Sequence, residues 1–179
     1  LMLWSARETE ERIYLGDHVQ AVDVWGKVTN LLVETHGNQP VQRVKIGPVP
    51  IFIVGADPTL LAFRMSVDVE QKQLDSFLGQ IQKLSVSFAN PTRESLVGQL
   101  RMIAPESWNA EAPVRSWEAL AGRSAKHTFD VVLSNTAKIG EYELPIQFEI
   151  ETVPPKLITV YRKVAVGPEG LDVNVTTRL

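Results

Sequence analysis

Apolar and polar residues alternate with a period of two along much of this chain. Ile146, Phe148 and Ile150 alternate with Gln147, Glu149 and Glu151, Leu84, Val86 and Phe88 with Ser85 and Ser87, and Phe129, Val131 and Leu133 with Asp130, Val132 and Ser134. Successive side chains of a strand point to opposite faces, so this pattern predicts strands with one buried and one wet face. A one-residue slip would expose every apolar member. The predicted core is therefore Leu84, Val86, Phe88, Leu100, Phe129, Val131, Leu133, Ile146, Phe148 and Ile150. Leu157 to Val166 is long and β-branched, which predicts a strand buried on much of both faces. Leu96 to Met102 is a further strand, and Gly98 within it predicts a bulge.

Turn residues punctuate these runs. Asn90-Pro91-Thr92, Ala104-Pro105-Glu106, Ala121-Gly122-Arg123, Ile139-Gly140-Glu141 and Val153-Pro154-Pro155 separate them at intervals of roughly 10–15 residues. No β-α-β rhythm appears, which argues against a parallel α/β sheet. The predicted class is all-β: an immunoglobulin-like antiparallel β-sandwich of about seven strands over 81–168. A smaller β-sheet domain over 1–67 precedes it, with short strands at Arg12 to Leu15, Ala21 to Val24, Asn30 to Val33, Gln42 to Ile46 and Ile51 to Val54. Between them, 68–80 reads as a linker with a short helix, because Leu74, Phe77 and Leu78 are spaced by three and four and Gly79 ends the run.

The ends read as cut from a longer polypeptide. The chain opens Leu-Met-Leu-Trp-Ser without an initiator Met or a signal segment, so 1–67 reads as truncated at its start. Leu171 to Thr177 alternates like a strand and the chain stops two residues later, so 169–179 reads as the start of a further domain.

Composition narrows the function. Hydrophobic residues make up 44% and charged residues 22%, enough apolar material for a packed core. A net charge of −3 offers no dense cationic surface for nucleic acid and no polybasic run for anionic lipid. No apolar run reaches the roughly 18–20 residues of a membrane span. There are no cysteines, which excludes disulfides, thiolate nucleophiles and thiolate metal sites.

Candidate chemistry is sparse. His18, His36 and His127 are far apart and share no ligand spacing, so neither a metal nor a cofactor is expected. A glycosidase needs two carboxylates about 5–10 Å apart. Glu143, Glu149 and Glu151 instead fall on the polar phase of a strand or near a turn, and Asp23 precedes Trp25-Gly26, where a turn-supporting role is expected. No nucleophile elbow or phosphate-binding glycine loop is present. The expectation is a chain without catalytic residues. The tryptophans stand apart, because a flat indole can stack on the apolar face of a sugar ring. Trp108 and Trp117 are the candidate carbohydrate-binding residues, and Trp4 and Trp25 complete the set.

One stretch resembles a known family. Leu84-Ser-Val-Ser-Phe-Ala-Asn-Pro91, then Leu96-Val-Gly-Gln-Leu100, Ala104-Pro-Glu-Ser-Trp108, Leu120-Ala-Gly-Arg123 and Ile139-Gly-Glu-Tyr142 follow in order. Together they resemble the NEW3 domain, an accessory module of bacterial α-galactosidases and other glycosidases, over about 81–167. Upstream, Tyr14-Leu-Gly-Asp17, Val22-Asp-Val-Trp-Gly26 and Gly47-Pro-Val-Pro-Ile-Phe-Ile53 look like the β-domain that follows the catalytic barrel in several glycosidases. The resemblance implies a non-catalytic module of a secreted or cell-envelope bacterial protein. Its partners would be neighbouring domains of the same polypeptide, and its Trp108 would cap the sandwich core. The alternatives are a carbohydrate-binding module that takes up polysaccharide, and an envelope adhesion or scaffold module. An open pair of aromatic rings favours the first alternative. A buried Trp108 with a large apolar patch on the Leu1–Ile53 sheet favours the accessory reading.

Overall fold

The structure, a computed structural model, describes residues 1–36, 39–111, 113–152 and 155–167. The expected further domain at 169–179 and the turn at Val153-Pro154 lie outside the described residues. The chain divides into two compact units, Leu1–Met65 and Ser66 onward.

Among the described residues, seven strands build the first unit: β1 (Met2–Leu3), β2 (Thr9–Ile13), β3 (Val19–Asp23), β4 (Val28–Leu31), β5 (Glu34–His36), β6 (Gln39–Ile46) and β7 (Ile51–Val54). They form a four-stranded sheet, β1-β7-β3-β4, and a three-stranded sheet, β2-β6-β5. Leu15, Val19, Val44 and Ile53 are the buried centre, with Leu3, Ile13, Leu31 and Ile51 packed around them. The amide of Gln42 is fully buried among these apolar groups. It is satisfied on both sides: its oxygen accepts from the Leu15 N–H at 2.8 Å and its nitrogen donates to the Gly16 carbonyl.

The helix lies elsewhere than expected. It is α1 (Pro58–Ser66), and Asp57 caps it, its Oδ1 accepting from the Thr59 and Leu60 N–H groups at 2.9 and 3.1 Å. Proline at the first helical position suits a start there, since its missing N–H would be unpaired anyway. The segment read as a linker with a short helix forms two short strands instead, β8 (Asp68–Val69) and β9 (Gln73–Leu74). Val69 and Leu74 are buried, and pairing with distant strands outweighs the local helical spacing.

The second unit continues with β10 (Ile81–Ala89), β11 (Leu96–Met102), β12 (Trp108–Glu111), β13 (Val114–Ala119), β14 (Ser124–Leu133), β15 (Gly140–Ile150) and β16 (Lys156–Val166). One sheet runs β8-β10-β14-β12 and the other β13-β11-β15-β16-β9. β8-β10-β14-β12 stand where strands A-B-E-D of an immunoglobulin-like sandwich stand, and β16-β15-β11 occupy the G-F-C places. β9 joins β16 in parallel, so the first edge of the domain is shared between the two sheets. Every residue of the predicted core is buried.

Aromatic rings join the two sheets. Phe88 of β10 meets Trp117 of β13 edge-on, centroids 5.0 Å apart, and Phe148 of β15 edge-on at 4.9 Å. Such edge-to-face pairs are the favoured arrangement of ring quadrupoles. Gly98 sits beneath them, and the register of β11 runs past it without a skipped residue on either side, so no bulge forms. The glycine is needed for close approach instead. A Cβ at Gly98 would collide with the Glu149 carbonyl oxygen and lie 3.1 Å from the Trp117 ring. At the end of β10, Asn90 is buried and ties the loops together. Its amide nitrogen donates to the carbonyls of Glu94 and Ala119 at 2.7 and 2.9 Å, and its oxygen accepts from the Thr92 N–H and hydroxyl.

His127 is half-buried and stacks on Phe88, centroids 6.2 Å apart. Burial, and secondarily the charge of Arg115, hold its pKa below the ordinary histidine value.

Three measurements test this core. Gly98→Ala should cost about 1–3 kcal/mol in a urea melt, the range for overpacking a filled interior; an unchanged midpoint would remove the close-approach account. Trp108→Ala should cost about 3–5 kcal/mol, as loss of a large buried aromatic does. For His127, the folded pKa lies below that of the unfolded chain, near 6.5. Its stabilising effect is therefore fully present above that pH and is lost as pH falls through it toward the folded value. Acidification from about pH 7.5 to 5.5 should lower the urea midpoint more in the parent chain than in His127→Gln. Equal drops in the two would exclude this histidine as a cause.

Candidate functional site

Trp108 and Trp117 are each only 4% exposed. Trp108 follows a turn closed by its own N–H, which donates to the Pro105 carbonyl at 2.8 Å. Its ring lies 5.1 Å from that of Tyr142 on the opposite sheet. Its indole N–H has no hydrogen-bond partner among the described residues. Trp117 shares the inward phase of β13 with Ala119 and is enclosed by Phe88 and Phe148. Covered rings cannot stack on a pyranose, so the candidate carbohydrate-binding role of these two residues gives way to core packing. Of the four tryptophans, Trp4 and Trp25 are the open ones, 62% and 78% exposed.

The titratable groups remain dispersed. His18 and His36 are exposed, and among the described residues no three His, Cys, Asp or Glu side chains gather where a metal ion could be held. Glu143, Glu149 and Glu151 are exposed. Asp23 serves its turn, its Oδ1 accepting from the Trp25 and Lys27 N–H groups at 2.9 Å each. Tyr14 donates to Asp17 at 2.5 Å, and burial together with the Asp17 carboxylate pushes the phenol up to about 12. A phenol so disfavoured as an anion is no nucleophile near neutral pH.

What the fold does assemble is an apolar outer face on the four-stranded sheet of the first unit. Met2 is opposite Phe52, Phe52 opposite Val22, and Val22 opposite Val28, so one row of apolar side chains crosses all four strands. Met2, Phe52 and Val28 are 53%, 44% and 54% exposed. Two residues further along their strands or turns come Trp4, Val24 and Val54, also exposed. The β3–β4 turn extends the surface, for Gly26 takes a positive φ and the tip presents Trp25. Exposed apolar surface gathered on one face marks a contact site more often than scattered single residues do. Its signal in the sequence is Ile51-Phe-Ile-Val54, apolar in both phases, and Leu1-Met-Leu-Trp4, which has no polar phase.

No protein-family model matches this sequence, and no curated protein matches it. Among solved structures it is similar to PapD-like domain 7 of human CEP192, at 13% identity over 57% of this chain and 84% of that one, with a TM-score of 0.37. It is similar also to the periplasmic chaperone SfaE, at 13% identity over 60% of this chain and 59% of that one, with a TM-score of 0.36. The E. coli chaperone DraB aligns at 11% identity over 60% of this chain and 57% of that one, with a TM-score of 0.35.

Proposed function

We propose that this chain is a non-catalytic accessory module of a larger, glycoside hydrolase-like bacterial protein of the envelope or exterior, and that its first unit packs against a neighbouring domain of the same polypeptide. The observation that carries the reading is the apolar row Met2-Phe52-Val22-Val28, a wet face of a sheet that is built like a buried one. A burial of Trp108 that matches the core-capping place of the NEW3-like Ala-Pro-Glu-Ser-Trp element supports it. In this reading the sandwich is a rigid spacer, and the apolar sheet holds it against its neighbour by excluding water from both surfaces.

The test compares Phe52→Lys/Val28→Lys with the parent sequence. In the isolated chain these exposed positions should tolerate lysine within about 0.5 kcal/mol by urea melt. In the full-length protein the same pair should detach the module, seen as faster limited proteolysis between domains and a lower Tm for the neighbour. Equal proteolysis and equal Tm would overturn the reading. So would turnover of a glycoside by the isolated chain that is lost when one carboxylate is changed to its amide. Retention on insoluble polysaccharide that vanishes in Trp25→Ala would replace it with carbohydrate binding.

A further inference from the structure

One end of the sandwich holds apolar side chains in water, and it is the end from which β16 departs. Two connections cross it. The one between β9 and β10 carries Phe77 and Leu78, 58% and 53% exposed, and the one between β14 and β15 carries Ile139, 67% exposed. They are tied together on both sides of the domain. The Gly79 N–H donates to the Leu133 carbonyl at 3.0 Å, which joins the end of the first connection to the start of the second. On the other side, Gly140 is opposite Val166 and Val166 opposite Leu74, so β16 joins the start of the first to the end of the second. Side chains fix each backbone as well. Gln82 exchanges two hydrogen bonds of 2.8 Å with the backbone of Asp75, and the Tyr142 hydroxyl holds the Lys138 N–H and carbonyl at 2.9 and 2.7 Å. Surface connections usually offer water small and polar residues, whereas these present large apolar ones from a braced backbone.

The point of departure is fixed beside them. Gly167 follows β16, its N–H donating to the Leu74 carbonyl at 2.9 Å and its carbonyl accepting from Gln73 Nε2 at 2.5 Å. Ile139 lies directly against it: a Cβ at this glycine, whose φ is +91°, would come within 2.8 Å of the Ile139 Cγ2. The sequence beyond reads Pro168-Glu-Gly-Leu-Asp-Val-Asn-Val-Thr176, in which Leu171, Val173 and Val175 alternate with Asp172, Asn174 and Thr176. We propose that this apolar end is the docking surface for the polypeptide that follows Gly167, with Leu171, Val173 and Val175 laid on Phe77, Leu78 and Ile139. Reach permits it, since four residues of extended chain span at most about 14 Å and the path starts against Ile139 itself. Pattern favours it, because a period of two puts the three apolar residues on one side and leaves the polar ones to water. Attachment favours it too. A segment tethered at Gly167 meets the end at a high effective concentration, which a free partner would have to match by affinity. The contact belongs to the second unit and does not rest on the apolar face of the first.

The experiment uses the full chain, labelled at its amides and at its isoleucine, leucine and valine methyls for NMR. Nuclear Overhauser contacts should link the methyls of Ile139 or Leu78 to those of Leu171, Val173 or Val175. Leu171→Ser/Val173→Ser should abolish them and move the amide resonances of 77–79. Phe77→Ser/Ile139→Ser should in turn speed amide exchange over 172–175 about tenfold or more. Core resonances such as those of Leu84 and Val131 should stay in place in both pairs, which separates a lost contact from a lost fold. Should either pair unfold, the methyl contacts of the unaltered chain decide the matter alone. Phe52→Lys should leave every one of these readings unchanged. Absent methyl contacts, or exchange over 172–175 that ignores the Phe77/Ile139 pair, would overturn the proposal. So would contacts that grow with protein concentration, since these would seat a second copy on this end.

Discussion

The sandwich depends on the meeting of Phe88 with Trp117 and Phe148 across its two sheets. Two twisted sheets can lie face to face only if their inner side chains interdigitate, and here three rings do so edge-to-face. The contact sets a demand on the backbone beneath it. With β15 pressed against β11 and the Trp117 ring overhead, position 98 has no room for a Cβ. Leu100, Ile146 and Phe129 are fully buried in the same sandwich, and the Trp108 ring lies 5.1 Å from that of Tyr142 on the facing sheet. Phe88, Phe148, Trp108 and Trp117 are turned inward, while Glu143, Glu149 and Glu151 are exposed.

The first unit is governed by a different constraint. Its chain leaves one sheet for the other between β5 and β4, and a sheet change of this kind leaves an edge behind. The buried Gln42 amide holds the corner after β2 by hydrogen bonds to Leu15 and Gly16, so the core closes even though the strands do not form a continuous barrel. The result is a small unit with an apolar outer face and, among the described residues, one side of Arg43 to Ile46 on β6 without a partner strand. A domain as small as this buries a limited share of its surface by itself.

Two regions show why local patterns mislead. Leu74, Phe77 and Leu78 have helical spacing, yet Leu74 is held by β16, 92 residues away in the chain, through the pairing of Val166 with Leu74. Such a pairing leaves no local trace. The true helix announces itself only weakly, through Asp57-Pro58 followed by Leu60, Leu61 and Phe63, a cap and a first-turn proline ahead of an apolar stripe. Gly98 is the complementary case. A glycine within a strand signals either a bulge or a close approach, and only the position of β15 and Trp117 distinguishes them.

The sequence by itself determined the all-β class, the five longest-patterned strands of the sandwich (β10, β11, β14, β15 and β16) and the ten alternating side chains at the centre of its core, but not β8, β9, β12 or β13. The period of two assigns each residue to a face, and burying the apolar phase leaves one register. Tertiary structure alone decided which aromatic rings are covered and which are open, because Trp25 and Trp108 both sit next to turns and differ only in what folds over them. It alone also decided that Met2, Val22, Val28 and Phe52 form one row, since they come from four strands that no local pattern orders. The open side of Arg43 to Ile46 on β6 is legible only in space, because among the described residues no strand pairs with it, and pairing between distant strands leaves no local trace in the sequence.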